Sequence, residues 1–229
     1  MSTYKPLAET LRPVELIDFV GQQHLLDIDK PIGKAIKDNQ LHSMILWGPS
    51  GVGKTTLARI ICSQMGAHFE QMSAVLDGVK ELRNIIKHAE LYRQNERSTI
   101  LFVDEIHRFN KAQQDGFLPH IESGLLTLIG ATTENPSFEI NSALLSRVRV
   151  YILKKLSNEE LETIAHRAMK EQQISLEGDG SLDLVIENSD GDARRLINVI
   201  EQLTNTSGKT LSKADVTKTL QKKLSSFDK

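Results

Sequence analysis

Apolar residues run along this chain in two rhythms, and the change from one to the other divides it. Apolar-rich runs of strand length occur at residues 43–47, 99–103, 125–131 and 148–153, with a further short candidate at 67–72. Residues 99–103 lack alternation, as a parallel strand covered by helices on both faces requires. Between the runs the spacing turns helical. Ile32, Ala35 and Ile36 share one face, and Leu82, Ile85, Ile86 and Ala89 form a stripe over residues 79–93. A helix running to about Met65 is stopped by Gly66. Residues 111–122 read as one helix, weakened by Gly116 and kinked or ended by Pro119, and residues 142–145 as a short one. Strands alternating with helices from 43 to 153 predict a three-layer α/β fold around a parallel sheet.

Beyond Lys154-Lys155 the strand runs cease. Ser157 and Glu160 form a capping box opening a helix whose stripe is Leu161, Ile164, Ala165 and Ala168. Further short helices are expected at 182–186, 193–203 and 214–220. The chain is therefore expected to divide into an N-terminal strap with an α/β domain, residues 1–154, and a small all-helical lid domain, residues 155–229. Residues 1–25 read as irregular, because Arg12-Pro13 and the stretch around Gly21 interrupt any helix. That lead-in either covers a nucleotide base or packs as a strap on the sheet edge.

Composition narrows the class without choosing a function. With 229 residues, 39% of them hydrophobic, the chain can bury one good core and a satellite. A formal charge of -2 excludes a chain that holds nucleic acid by overall charge, though not a local basic face. The single cysteine, Cys62, excludes an internal disulfide, fits a reducing compartment and lies on an apolar helix face, where packing is its role. No 18-residue apolar run and no signal-like start are present, so the chain is expected to be soluble and cytoplasmic.

The chemistry enters between the first strand and the helix after it. Gly48-Pro49-Ser50-Gly51-Val52-Gly53-Lys54-Thr55-Thr56 matches G-x-x-x-x-G-K-[ST] in full, in the strand-loop-helix setting the pattern requires. Glycines let the backbone wrap an anion with its N–H groups, Lys54 is placed to neutralise the β/γ-phosphates, and Thr55 to ligate Mg²⁺. Asp104 and Glu105 end a wholly apolar strand, where open α/β sheets bind ligands. Asp104 is the expected Mg²⁺ contact, through water, and Glu105 the base that polarises an attacking water. A carboxylate pair beside a phosphate loop points to hydrolysis. A small-molecule kinase would need an acceptor site for which there is no signature. Thr133, or alternatively Thr132, ends the neighbouring strand with a hydroxyl for the attacking water or γ-phosphate. Arg147 and Arg149 flank the last strand and either pair with a local carboxylate or supply an arginine finger to a neighbouring subunit. Arg194 and Arg195, after Asp190-Gly191-Asp192, either reach the phosphates or form a solvated basic turn.

These residues together resemble an AAA+ ATPase, specifically the family of bacterial replication-associated recombination protein A and the eukaryotic Werner-helicase-interacting ATPase. The resemblance runs from Pro6 to the end. Its most specific stretches are Phe102-Val103-Asp104-Glu105-Ile106-His107-Arg108-Phe109-Asn110-Lys111 and Gly130-Ala131-Thr132-Thr133-Glu134-Asn135-Pro136-Ser137-Phe138. It implies that Gly48 to Thr56 is Walker A, Leu101 to Glu105 Walker B, Thr133 sensor 1, Arg147 a trans-acting arginine finger and Arg194 sensor 2. Val20 and Gly21 resemble the adenine-contacting segment. Ser50 and Val52 depart from the usual loop residues without removing a catalytic group. The family implies ATP and Mg²⁺ as cofactors, DNA at stalled or gapped forks and single-strand-binding protein as partners, homo-oligomers, and a nucleoid-associated cytoplasmic location. The alternative is a non-hydrolysing, nucleotide-gated scaffold resembling inactive clamp-loader subunits. Its pattern continues past Ser226-Phe227-Asp228-Lys229 into an all-helical oligomerisation region, so tetramer formation and Arg147-dependent turnover are expected to be weakened in this chain.

Overall fold

In a computed structural model that describes residues 4–204 and 209–225, the chain forms two compact units; Ser226-Phe227-Asp228-Lys229 lie outside the described residues. The larger unit comprises residues 22–154 with Val14–Leu16. Its sheet contains β1 (Met44–Trp47), β2 (His68–Ser73), β3 (Thr99–Asp104), β4 (Leu126–Thr132) and β5 (Arg149–Ile152), in the order β2-β3-β4-β1-β5, every pair parallel. Alternate strand residues supply two cores. Ile45, Met72, Leu101, Val103 and Leu128 pack with Leu82, Ile85 and Ala89 of helix Val79–Gln94. The complementary set, including Met44, Leu46, Ile100 and Phe102, is equally buried, and helix Lys54–Gln64 crosses β2, β3 and β4. β1, β3 and β4 are buried on both faces, as their apolar runs encode, whereas the edge strands β2 and β5 are partly exposed.

The segment expected as one helix over 111–122 is two, Lys111–Asp115 and Leu118–Glu122. The break falls at Gly116-Phe117, and Pro119 sits in the first turn of the second helix, where its missing N–H costs nothing. Proline here starts a helix instead of ending one. The first of the pair opens with a complete capping box between Asn110 and Gln113.

The second unit gathers residues 4–13, 17–21 and the described residues from 155 on. Its core is built by helices Asn158–Gln172, Ser181–Ser189 and Ala193–Thr204, around Leu161, Ala165, Val185, Leu196, Val199 and Ile200. The Ser157–Glu160 capping box is present. Strands β6 (Ser175–Leu176) and β7 (Thr210–Leu211) form a parallel pair that no apolar run announced. The N-terminal residues, expected with the α/β domain, group with these helices. Leu7–Thr10 makes one helical turn whose Leu7 is 2% exposed in the helical core, and Leu7 N–H and the Tyr4 hydroxyl both donate to Glu201 Oε1, at 2.8 and 2.7 Å. Leu7, Ala8 and Leu11 present one apolar face, and a single turn is too short for periodicity to reveal. Gln23–Leu26 is a second short helix in the stretch read as irregular.

Candidate functional site: a phosphate loop and an acidic strand end

β1 leaves the sheet at Gly48, whose N–H donates to Thr132 O at 3.1 Å, continuing the β1–β4 ladder one residue further. A Cβ at Gly48 would lie 2.5 Å from Leu153 O, so only glycine lets the chain pass here. Gly51 and Gly53 take positive φ values of 66° and 96°, and helix Lys54–Gln64 begins directly after Gly53. Its first turn contains no acidic side chain. The leading N–H groups of a helix have no intrahelical acceptor, and together with the macrodipole they favour an anion. Lys54 is 8% exposed and its ammonium donates to Gly48 O at 2.7 Å and Pro49 O at 2.8 Å, which holds the charge over the mouth of the loop. Val52 is buried, 2% exposed. Ser50 is exposed; Thr55 and Thr56 follow Lys54 in the first turn, half-buried.

Because every strand is parallel, the carboxyl ends lie on one edge. β4 alone separates β1 from β3, so the phosphate loop, the β4 end and the Asp104-Glu105 pair line up along that edge. Asp104 is the last residue of β3, in register with Ser73 of β2. Glu105 then turns sharply, with φ 52° and ψ 45°, into the 3-10 turn Ile106–Arg108. A left-handed conformation at a residue with a Cβ is costly and persists only where neighbours enforce it. Ile106 enforces it. Its side chain is fully buried and occupies the space above Gly130, where a Cβ would fall 3.0 Å from Ile106 Cδ1.

The turn also places His107, whose side chain is 8% exposed. Its Nδ1 lies 3.2 Å from Glu105 Oε2 and 2.8 Å from Thr132 Oγ1. Thr132 is wholly buried and its hydroxyl also accepts from Glu134 N–H at 3.0 Å, whereas Thr133 is exposed at the strand end. The two threonines thus differ: Thr132 is engaged inside, and Thr133 is the one turned outward. Sequence reasoning did not single out His107. Its signals were its place in the family-specific stretch from Phe102 to Lys111 and its two-residue offset from Glu105, which acquires meaning when a 3-10 turn folds it back.

Arg147 follows helix Ser142–Leu145 and pairs with Glu122, donating also to Ala143 O at 2.8 Å and Ser146 Oγ at 3.0 Å. It precedes β5, whose first residue Arg149 is in register with Met44 at the start of β1. Arg147 therefore lies at the amino edge of the sheet, while the phosphate loop lies at the carboxyl edge. The four-residue strand between these edges spans about 13 Å.

Val20, Gly21 and Arg194 belong to the helical unit. Gly21 has φ 88°, and a Cβ there would lie 2.6 Å from Leu156 Cδ2; Val20 before it is half-buried. Next in sequence, Gln22 belongs to the α/β unit and clasps Lys154 through both its backbone groups, at 2.8 and 2.9 Å. Arg194 is exposed in the first turn of helix Ala193–Thr204. Arg195 donates its backbone N–H to Asp192 Oδ1 and its guanidinium to Asn188 Oδ1. Asp190 is held below the usual carboxylate range by its hydrogen bond and charge pairing with Lys155.

Comparison with known proteins gives concordant relatives. Residues 44–156 match the model of the ATPase family associated with various cellular activities (AAA). Replication-associated recombination protein A of Escherichia coli K12 is 52% identical over 213 residues, covering 89% of this chain and 47% of that protein. ATPase WRNIP1 of Dictyostelium discoideum is 46% identical over 204 residues, 87% of this chain and 23% of that protein. Among solved structures, the Thermotoga maritima RuvB Holliday junction branch migration motor superposes with TM-score 0.77 at 30% identity, covering 92% of this chain and 72% of that one. The chain spans about half the length of the bacterial recombination protein it matches, 47%. Among the described residues, no helix is long and apolar enough to cross a membrane.

Proposed function

The chain belongs to the AAA+ ATPases, in the family of replication-associated recombination protein A and WRNIP1, and from that premise we propose that it binds and hydrolyses ATP to act on DNA or DNA-bound replication factors at stalled or gapped forks. One observation carries the hydrolytic part: Lys54 over the loop and the Asp104-Glu105 pair stand on the same sheet edge, one strand apart. A phosphate bound in the loop meets fixed N–H groups and the Lys54 charge, so neutralisation of the phosphates is preorganised. Glu105, at the end of the neighbouring-but-one strand, orients water and accepts its proton as the oxygen attacks the γ-phosphate. Exposed Thr133, at the end of the intervening strand, offers a hydroxyl to that water or to the phosphate.

The donor set suits a hard divalent cation, because a threonine hydroxyl and a carboxylate are oxygen ligands. Thr55 and Asp104 would hold Mg²⁺, with Asp104 acting through water. Held there, the ion would supply charge neutralisation to the phosphates. Val20 and Gly21 would contact adenine, and Arg194 would report the γ-phosphate to the helical unit. Arg147, at the sheet edge opposite its own phosphate loop, would serve the loop of a second copy, making the active form a homo-oligomer. Forked or gapped DNA is the proposed substrate and single-strand-binding protein the proposed partner, by kinship with the named relatives.

The test compares ATP turnover by wild type and Glu105→Gln, with and without forked or gapped DNA. The expected result is turnover by wild type and a loss of about 100-fold or more in the variant, the range for removing a positioned general base. ATP binding by both proteins with turnover by neither would overturn the hydrolase reading and favour a nucleotide-gated scaffold.

A further inference from the structure

The acidic strand end carries a group for which neither Walker motif accounts. His107 is nearly buried, and its Nδ1 faces two oxygens, Glu105 Oε2 at 3.2 Å and Thr132 Oγ1 at 2.8 Å. A carboxylate can only accept, so the contact with Glu105 is attractive only when Nδ1 carries a proton. Thr132 satisfies the same requirement from its side. Its hydroxyl accepts from Glu134 N–H at 3.0 Å and has Glu134 O at 3.3 Å as the acceptor for its own proton. With its proton on Glu134 O, Oγ1 can accept from His107 Nδ1, the assignment consistent with the Glu105 contact. One Nδ1–H then faces both oxygens, hydrogen-bonded to Thr132 Oγ1 and within ion-pair distance of Glu105 Oε2.

We propose that His107 is a positioning residue for ATP hydrolysis, fixing the Glu105 carboxylate by one oxygen and tying it to the β4 end that presents Thr133. This rests on the reading of Glu105 as the base. The logic is that of a base oriented by a third group. Glu105 leaves the sheet in a left-handed turn, with its side chain about one-third exposed, so the carboxylate needs a tether to hold one direction. Holding Oε2 leaves Oε1 for water. Because the tether ends on Thr132, adjacent to Thr133, displacement of one strand end is passed to the other through a single ring.

The experiment measures steady-state ATP turnover and ATP affinity for wild type, His107→Ala and His107→Asn, together with the ring-nitrogen NMR signals of His107 in the wild-type chain. The amide nitrogen of asparagine reaches nearly the place of Nδ1 and can donate. His107→Ala is expected to lower kcat about tenfold to a hundredfold, the range for losing an orienting partner, while ATP affinity and KM stay unchanged. His107→Asn is expected to recover most of that loss. The ring is expected to be protonated at Nδ1, and its signals to move in Glu105→Gln. A kcat in His107→Ala equal to or above wild type, or a neutral ring protonated at Nε2 alone, would overturn the proposal. If wild type binds ATP without turning it over, the hydrolase reading fails by itself, and the ring measurement still decides whether His107 holds Glu105.

Discussion

At the scale of single residues, the site is fixed by what cannot be substituted as much as by what reacts. Gly48 passes beside Leu153 and Gly130 makes room for Ile106, and neither requirement is visible until strands are paired. Glu105 and Lys54 were legible because their types and spacing carry chemistry of their own. His107 was not, because a histidine two places beyond a glutamate means nothing until a 3-10 turn brings them together. Cys62 shows the opposite case, a residue whose burial was foreseeable. It is 3% exposed, donates to Ala67 O at 3.3 Å, and burial pushes its thiol up to about 11. In the unfolded chain the thiol ionises near 9.0, so between that pH and about 11 the unfolded state binds fewer protons than the native state. Stability must then fall as pH rises through this window, and this loss is absent below it. Urea unfolding of wild type and Cys62→Ala from pH 8 to 11 should show a steeper decline for wild type. Parallel pH profiles would refute this.

At the scale of elements, periodicity served well where an element was long enough to repeat. β1 and β3, and helices Val79–Gln94 and Ala193–Thr204, lie within a residue or so of their expected places. Failures cluster in pieces of one turn or two residues. Leu7–Thr10, Gln23–Leu26 and the β6–β7 pair are too short to display a period, and they exist because tertiary partners receive them. At the split, Gly116 and Phe117 keep right-handed helical dihedrals, Phe117 is 1% exposed in the sheet core, and Pro119 has no N–H with which to continue the ladder. The helical unit's longest helix depends on a local device instead. Ser157 Oγ accepts from Glu160 N–H while Glu160 returns to Ser157 N–H, so Ser157→Ala should cost about 1 kcal/mol. The urea midpoint should fall accordingly, with ATP affinity retained; an unchanged midpoint would mean the cap contributes nothing.

At the scale of the whole molecule, the proposed catalytic parts lie on opposite edges of one sheet, with the phosphate loop and Glu105 at the carboxyl edge and Arg147 at the amino edge. Arg147 is paired with Glu122, an exposed contact worth at most about 1 kcal/mol, which a phosphate on a neighbouring copy can displace. Mixing Arg147→Ala with Lys54→Ala in equal amounts should restore turnover that neither shows alone, because one sort of interface then joins an intact loop to an intact arginine. No recovery on mixing would exclude a shared site. The edge-to-edge arrangement also dictates symmetry. A two-fold dimer pairs residue i with j and j with i, so it completes both sites only where loop and arginine share one interface, which parts on opposite sheet edges disfavour. A head-to-tail contact, the arrangement we propose, completes one site per interface and either closes into a ring or leaves an open row. In an open row the terminal loop always lacks its arginine, so turnover per chain should climb with protein concentration as rows lengthen, and level off once they close.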